Sequence, residues 1–370
     1  MRTKMFALAV VGLLATGSMV ACTSDGSSGN SSSSGGSKGG NGTGKIGVIL
    51  PDTASSQRWV TDDARFLKQS FDAAGIPVDI QNAQGDKTQF QTIADGMIAS
   101  GVKVLITANL DSGTGKAVLD KAKANGIATI DYDRMTLNGG ANYYVSFDNV
   151  EVGKLQGQGL EECLTQMKIT LPLVADLNGS PTDNNATLFK KGYESVLQPK
   201  YDSAAYKKGP DQDVPDWSNT EAGVIFEQMM TQTGNKINAV LAANDGLANA
   251  AIAILKKNKL NGQVPVTGQD ATVQGLQNIL VGDQCMTVYK SIRAEAQAAA
   301  DLAIKLYKGQ KGDAGDRVKD PESGAYIPSV LLKPEKITKA NVDRVIRDGF
   351  VTRKAICSGQ YETYCAQNGI

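Results

Sequence analysis

At 370 residues the chain has room for two domains. Its 38 Lys+Arg balance 38 Asp+Glu, so there is no basic excess to hold nucleic acid or an anionic membrane surface. Histidine is absent, which removes the commonest general base and metal ligand and argues against zinc hydrolases and His-based triads.

The first element in chain order is not part of a fold. Arg2 and Lys4 precede an apolar segment, Met5 to Ala21, too short and too poorly flanked to span a membrane stably. It ends "MVAC", with small Ala21 directly before Cys22, an ending that resembles a bacterial lipoprotein signal. The resemblance implies a signal over 1–21, cleavage before Cys22 and lipid attachment through its sulfur; the alternative is an ordinary secretory signal cut nearby. From Thr23 to Gly44, 16 of 22 residues are Gly or Ser. Such a composition cannot bury enough apolar surface to order itself, so residues 22–44 are expected to be a lipidated cysteine plus a flexible tether, spanning roughly 25 Å. Loss of the signal leaves 36 Lys+Arg against 38 Asp+Glu, a net charge of about −2.

From Lys45 onward, short apolar runs alternate with amphipathic stretches. One series of runs is "KIGVIL" (45–50), "VDIQ" (78–81), "VKVLITA" (102–108), "ATIDY" (128–132) and "YYVSF" (143–147). A second is "ITLPLVADL" (169–177), "NAVLAA" (238–243), "VPVTG" (264–268) and "CMTVY" (285–289). Helix-like segments lie between them at 57–74, 86–100, 112–126, 149–166, 184–198, 219–233, 245–258 and 291–308. The alternation predicts βαβ units, hence an α/β protein with parallel sheets and helices on both faces, and two series predict two similar lobes. "YIPSVLLKP" (326–334) reads as one more strand and "TKANVDRVIRDG" (338–349) as one more helix. The expected division is a first lobe of 45–148 with about 291–322, and a second of 149–290 with about 323–370, joined by several crossings that form a hinge. With Cys22 assigned to lipid, four cysteines remain, an even number that in an exported chain suggests two disulfides. Cys357 and Cys365 are close in sequence and pair, which leaves Cys163 with Cys285.

In open parallel α/β sheets, ligands bind beyond the carboxyl ends of the strands. The first run delivers Arg58 and Trp59 there, in "SSQRW"; the third delivers Asn109 and Asp111; the fourth, Asp133 and Arg134. In the second series "ADLNGSPTDNNA" delivers Asp183, Asn184 and Asn185, and "DVPDW" adds Trp217. "AAND" delivers Asn244 and Asp245, "TGQD" Gln269 and Asp270, and "TVYK" Tyr289 and Lys290. Each has a plainer reading: Asp245 and Asn184 as helix N-caps, an Arg beside an Asp as a surface ion pair, a lone Trp as core. The recurrence at strand ends in both lobes points instead to a shared crevice. Arg, Asp and Asn each offer two donors or two acceptors to neighbouring hydroxyls, and Trp59 and Trp217 can stack on the C–H face of a ring. A phosphate would call for Gly-rich loops and excess cations. A neutral monosaccharide fits better. "DSGTGK" (111–116) lacks the first glycine of a P-loop, and Ala117 stands where Ser or Thr would hold magnesium, so nucleotide hydrolysis is not expected. The enzymatic alternative is Asp183 and Asp270 as the paired carboxylates of a glycoside hydrolase.

With "SSQRW" (55–59), "DYDRM" (131–135), "SFDNVEVGKLQ" (146–156), "GSPTDNNA" (179–186), "TGQDA" (267–271), "MTVYK" (286–290) and "IPSVLLKPEKITKANV" (327–342), the body resembles bacterial periplasmic sugar-binding proteins of the ribose/galactose-binding type. It is similar above all to the xylose-binding and multiple-monosaccharide-binding proteins of ABC transporters. The resemblance covers Lys45 to about Gly349. It implies a type I periplasmic binding protein fold, two Rossmann-like lobes on a three-strand hinge, closing on the sugar. It places ligand contacts on Arg58, Trp59, Asp133, Arg134, Asp183, Asn185, Trp217, Asn244, Asp270 and Lys290. It implies no enzymatic activity, cofactor or metal. A lipid-anchored monomer at the outer face of the membrane would deliver D-xylose or a related aldose to a permease with a separate ATPase; the alternative partner is a membrane receptor for chemotaxis or signalling. The segment "GPDQDVPDW" (209–217) departs from the family pattern, which weakens the placement of Trp217, and "ANLDSGTGK" (108–116) departs around Asn109 and Asp111.

Overall fold

The computed structural model describes residues 44–370. The signal over 1–21, Cys22 and the Gly/Ser stretch as far as residue 43 lie outside the described residues.

Five strands come first: β1 (Ile46–Leu50), β2 (Val78–Asn82), β3 (Val104–Thr107), β4 (Ala128–Tyr132) and β5 (Tyr143–Phe147). Then follow β6 (Leu173–Asn178), β7 (Lys207–Asp213), β8 (Ala239–Ala242) and β9 (Met286–Tyr289), and finally β10 (Asp316–Lys319), β11 (Tyr326–Leu332) and β12 (Glu335–Thr338). The first sheet has the order β10-β11-β5-β4-β3-β1-β2. It is parallel except where β10 meets β11. Strands β1, β3 and β5 are buried along their whole length, as strands covered by helices on both faces must be. In the second lobe β7, β6 and β8 form a parallel sheet, and β12 pairs antiparallel with β9.

The chain crosses between lobes three times: between β5 and the helix Asn149–Gln166, between β9 and the helix Ile292–Tyr307, and between β11 and β12. The helix Ile292–Tyr307 buries Ile292, Ala296, Ala299 and Leu302 in the first lobe's core beside Ile46, Val104 and Val145. The Asp148 amide donates to the Leu332 carbonyl at 2.9 Å, so the first and third crossings run side by side.

One boundary differs from the sequence reading. β11 pairs with β5, placing Ser329 opposite Tyr144, so residues 316–332 complete the first sheet. Ile327 packs against Met135 and Tyr144, and Val330 against the first lobe's core. The passage to the second lobe therefore falls at Lys333 and Pro334, not at about residue 323. The expected strand at 264–268 is a single bridge from Val266 to Val240, next to Pro265, which has no N–H to give to a ladder. Strand β7, "KKGPDQD", is a polar edge strand with no apolar alternation to reveal it. The helix Val273–Val281 was also not foreseen.

Cys163 is bonded to Cys285, tying the helix Asn149–Gln166 to the start of β9, and Cys357 to Cys365, with Cα separations of 6.3 and 5.8 Å. Among the described residues no helix is long and apolar enough to cross a membrane, and no cluster of His, Cys, Asp and Glu could hold a metal ion.

Candidate functional site

All ten residues placed at the ligand by the sequence line one crevice between the lobes. Ser55, Ser56, Phe189 and Gln269 line it with them. The ten are between 2 and 7% exposed, which removes the surface ion pair as an account of any of them.

Local structure explains their aim. Arg58 and Trp59 open the short helix Arg58–Thr61, which points its first turn at the crevice. Asp183 is the N-cap of the helix Asn184–Asp202: its Oδ1 accepts from the Asn185 amide at 2.9 Å, while its Oδ2 accepts from Trp217 Nε1 at 3.1 Å. Asn244 caps the helix Asp245–Lys257 through Leu247 N and turns its amide to the Ser55 carbonyl of the other lobe, at 3.2 Å. The caps thus lie one residue before the Asn184 and Asp245 of the sequence reading. Asp and Asn cap equally well, so composition cannot separate adjacent candidates. Asp245 is instead a buried hub that accepts from Thr272, Gln284 and Thr287 beneath the loop bearing Asp270. Gly153 lets the helix Asn149–Gln166 approach the Phe189 carbonyl; an ideal Cβ there would lie 2.0 Å from that oxygen. The close crossing sets Asn149 Nδ2 at 2.9 Å from Asn185 Oδ1 and so fixes Asn185 in the site.

Charges of both signs are paired inside. Arg58 donates from Nη1 to Asp133 (2.6 Å), from Nε and Nη2 to Asp63 (2.9 and 2.7 Å), and from Nη2 to Glu295 (2.5 Å). Burial alone would depress the Arg58 guanidinium, but Asp63, Glu295 and Asp133 outweigh it and raise it well above its usual value. Burial pushes Asp133 upward, and Arg58, Lys290 and Arg134 overcome that to hold it below the usual carboxylate range. Lys290 Nζ stands 3.3 Å from Asp270 and 3.8 Å from Asp133; these two acids raise it against the effect of burial. Asp183 is raised, because burial exceeds the pull of Arg134. The Arg58 guanidinium also lies 4.2 Å from the centroid of the Trp59 ring.

Four buried polar atoms of the crevice have no hydrogen-bond partner among the described residues: Trp59 Nε1, Arg134 Nε, Gln269 Oε1 and Asp270 Oδ1. Arg134 Nε and Asp270 Oδ1 do have ion-pair neighbours, Asp183 at 3.1 Å and Lys290 at 3.3 Å, but not in hydrogen-bonding geometry. Buried polar groups in proteins are almost always paired, so four orphans in one crevice mark it as a place built for a hydrogen-bonding guest. The crevice is narrow, with about 30 Å³ of free space. The lobes touch across it through Ser56 Oγ to Asp270 (2.9 Å) and Asn185 Nδ2 to Asp133 (3.1 Å). A sugar ring enters only by parting these contacts. The larger void, about 620 Å³, lies beside the convergent charges rather than at them.

Asn109 and Asp111 stay outside. Asn109 donates to the Arg134 carbonyl and Thr136 and braces the Arg134 loop, and Asp111 caps the helix Ser112–Ala124, which is what "DSGTGK" begins. Phe189 was missed because a buried aromatic reads as core. Its signal is the spacing: it lies four residues after Asn185, on the same helix face, with its ring edge toward Trp217 at 6.4 Å.

Two α/β lobes on a three-strand hinge, facing each other across a charged but internally neutralised crevice, define a bilobal solute-binding protein. The periplasmic binding protein domain matches residues 46–311, and the chain belongs to that family, in its sugar-binding branch. It is 38% identical over 307 residues to the D-xylose-binding periplasmic protein of Escherichia coli (strain K12), covering 83% of this chain and 90% of that protein. It is 32% identical to the multiple sugar-binding periplasmic receptor of Rhizobium radiobacter, again over 83% and 90% of the two chains. Among solved structures, an ABC transporter solute-binding protein from Clostridium phytofermentans with bound β-D-glucose superposes with a TM-score of 0.77 at 28% identity, covering 84% of this chain and 99% of that one. These relatives are named for binding, not for catalysis.

Proposed function

We propose that the protein captures a single neutral monosaccharide, D-xylose or a related aldose, between its lobes and hands it to an ABC import permease served by a separate ATPase. The observation that carries this reading is the set of four orphaned polar atoms, two donors and two acceptors, among charges already neutralised by one another. Such a site satisfies hydroxyls and offers no net charge to an ion. Arg58, Asp133, Arg134, Asp183, Asn185, Asn244, Asp270 and Lys290 grip the hydroxyls, while Trp59 and Trp217 cover the ring. Xylose is supported by the relative in Escherichia coli, and glucose by the bound sugar in the Clostridium phytofermentans protein. The "MVAC" ending supports a lipid anchor at Cys22, with the monomeric body held at the extracytoplasmic face of the membrane; mass spectrometry of the membrane-extracted N-terminus tests it. The decisive experiment is calorimetry against D-xylose, D-glucose, D-galactose and L-arabinose. Saturable 1:1 binding of at least one is expected, and heat from none of them would end the proposal. A second reading, presentation of the loaded protein to a membrane receptor, is favoured by the relative named a receptor in Rhizobium radiobacter.

A further inference from the structure

The cavity of about 620 Å³ and the crevice share Ser55, Ser56, Arg58, Asn244 and Asp270 as walls. Between them run two cross-lobe hydrogen bonds, Ser56 Oγ to Asp270 Oδ2 at 2.9 Å and Asn244 Nδ2 to the Ser55 carbonyl at 3.2 Å. The cavity is therefore the continuation of the crevice past a thin, polar partition.

Its lining differs in character from the crevice. Away from the shared residues it presents neutral amides, Asn219, Gln274 and Gln277, beside an apolar patch of Val273, Phe350 and Val351. Its other carboxylate, Asp62, is engaged by Arg65 at 2.5 Å. A phosphate would meet no unpaired cation among the described lining residues, and a wholly apolar guest would cover the exposed amide of Asn219 without giving it a hydrogen bond. A ring with hydroxyls on its rim and C–H groups on its faces satisfies both parts of the wall. The volume is within the range of ligand pockets, roughly 300–1,000 Å³.

The outer wall is held in place. Phe350 packs against the cores of both lobes, with its ring 5.4 Å from that of Tyr289. Gln277 Nε2 donates to the Ile356 carbonyl at 3.0 Å, and the Cys357–Cys365 bond closes the segment that follows. The segment after Gly349 thus becomes a side of the cavity.

We infer that this cavity is a second saccharide subsite, so that the protein accepts a neutral disaccharide with one ring in the crevice and the glycosidically linked ring beyond Ser56 and Asp270. The inference rests on the reading of the crevice as a monosaccharide site.

Calorimetry of the full chain with D-xylose and β-1,4-xylobiose, and with D-glucose and cellobiose, tests it. At least one disaccharide is expected to bind within about tenfold of its monosaccharide. The exposed residues Gln274 and Asn219 line the cavity and not the crevice, so Gln274→Ala with Asn219→Ala should weaken the disaccharide about fivefold or more and leave the monosaccharide within about twofold. Ala355→Trp, which fills the cavity from an exposed position, should produce the same split. Monosaccharide binding without disaccharide binding, or equal losses on both sugars, overturns the subsite while leaving the crevice reading intact. Disaccharide binding with no monosaccharide binding overturns the monosaccharide reading and, with it, the inference that rests on it. Silence from all four sugars overturns both.

Discussion

Asp133 and Asp270 hold left-handed backbone conformations, φ 62° and 94°, and each donates its amide at 2.8 Å to a valine carbonyl of a neighbouring strand, Val145 in one lobe and Val288 in the other. Each comes from a strand-end loop of its own lobe, and both carboxylates face Lys290, at 3.8 and 3.3 Å. Such a conformation costs a non-glycine residue about 1–3 kcal/mol and persists where the surroundings over-determine it. The two lobes spend strain in the same way and for the same purpose, to turn an acid off the end of a sheet into the cleft.

Removing either a crevice acid or its counter-charge leaves buried partners unsatisfied. Asp270→Ala and Arg134→Ala are each expected to weaken the preferred sugar by at least ~2 kcal/mol, about thirtyfold, in calorimetry. Affinity close to wild type in both variants would place the site elsewhere.

Trp217 sits with its indole over Gly179, where an ideal Cβ would come 2.1 Å from Cη2 of the ring. Gly179→Ala must therefore displace the indole and stretch its bond to Asp183. Overpacking of this kind costs about 1–3 kcal/mol. Loss of sugar affinity should match that of Trp217→Ala while far-UV dichroism stays native. An alanine variant with undiminished affinity would show that the indole does not cover the ring.

Glu295 is raised from its usual 4.5 to about 8, chiefly by burial, and Asp245 from 3.8 to about 7, again chiefly by burial. In the window between the usual and the raised values, the folded chain keeps protons that the unfolded chain has released. Stability must then fall as pH rises from about 5 to about 8. Asp133 has the opposite sign, since its lowered value contributes stability that is lost only at more acid pH. Urea unfolding should give a higher midpoint at pH 5.5 than at pH 8.5, and Glu295→Gln should flatten the upper part of the profile. A midpoint that rises across this range contradicts the assignment.

The Cys163–Cys285 bond closes a loop of 122 residues, and Cys357–Cys365 one of 8. In the chain-entropy account the long loop contributes more, and its removal typically costs about 2–5 kcal/mol. Cys163→Ala with Cys285→Ala should lower the urea midpoint more than Cys357→Ala with Cys365→Ala. The reverse order would mean that the short loop carries the larger share.

Much of this was legible because parallel strands buried on both faces must be apolar throughout, as β1 and β3 are, and because the strand-end rule says where to look for polar side chains. The resemblance to sugar-binding proteins then selected which of them to name. What escaped had no such signature. β7 is a polar edge strand, and Phe189 looks like any core aromatic until the helix that carries it is turned toward Trp217. The boundary near residue 323 was misplaced because an apolar strand such as β11 does not declare which sheet it will join. A one-residue shift put the N-caps on Asp183 and Asn244 rather than on Asn184 and Asp245, so two crevice residues also carry the capping role, which adjacent residues of nearly equal propensity do not reveal.

The triple passage between lobes also dictates an order of assembly. One edge of β5 stays unpaired until β11 arrives, and the core of the first sheet stays open until the helix Ile292–Tyr307 packs into it. No contiguous fragment ending before residue 332 contains a finished first half, so a nascent chain cannot lock that half early. Maturation has to wait for the far end of the polypeptide, and truncation there should unravel the part that was made first.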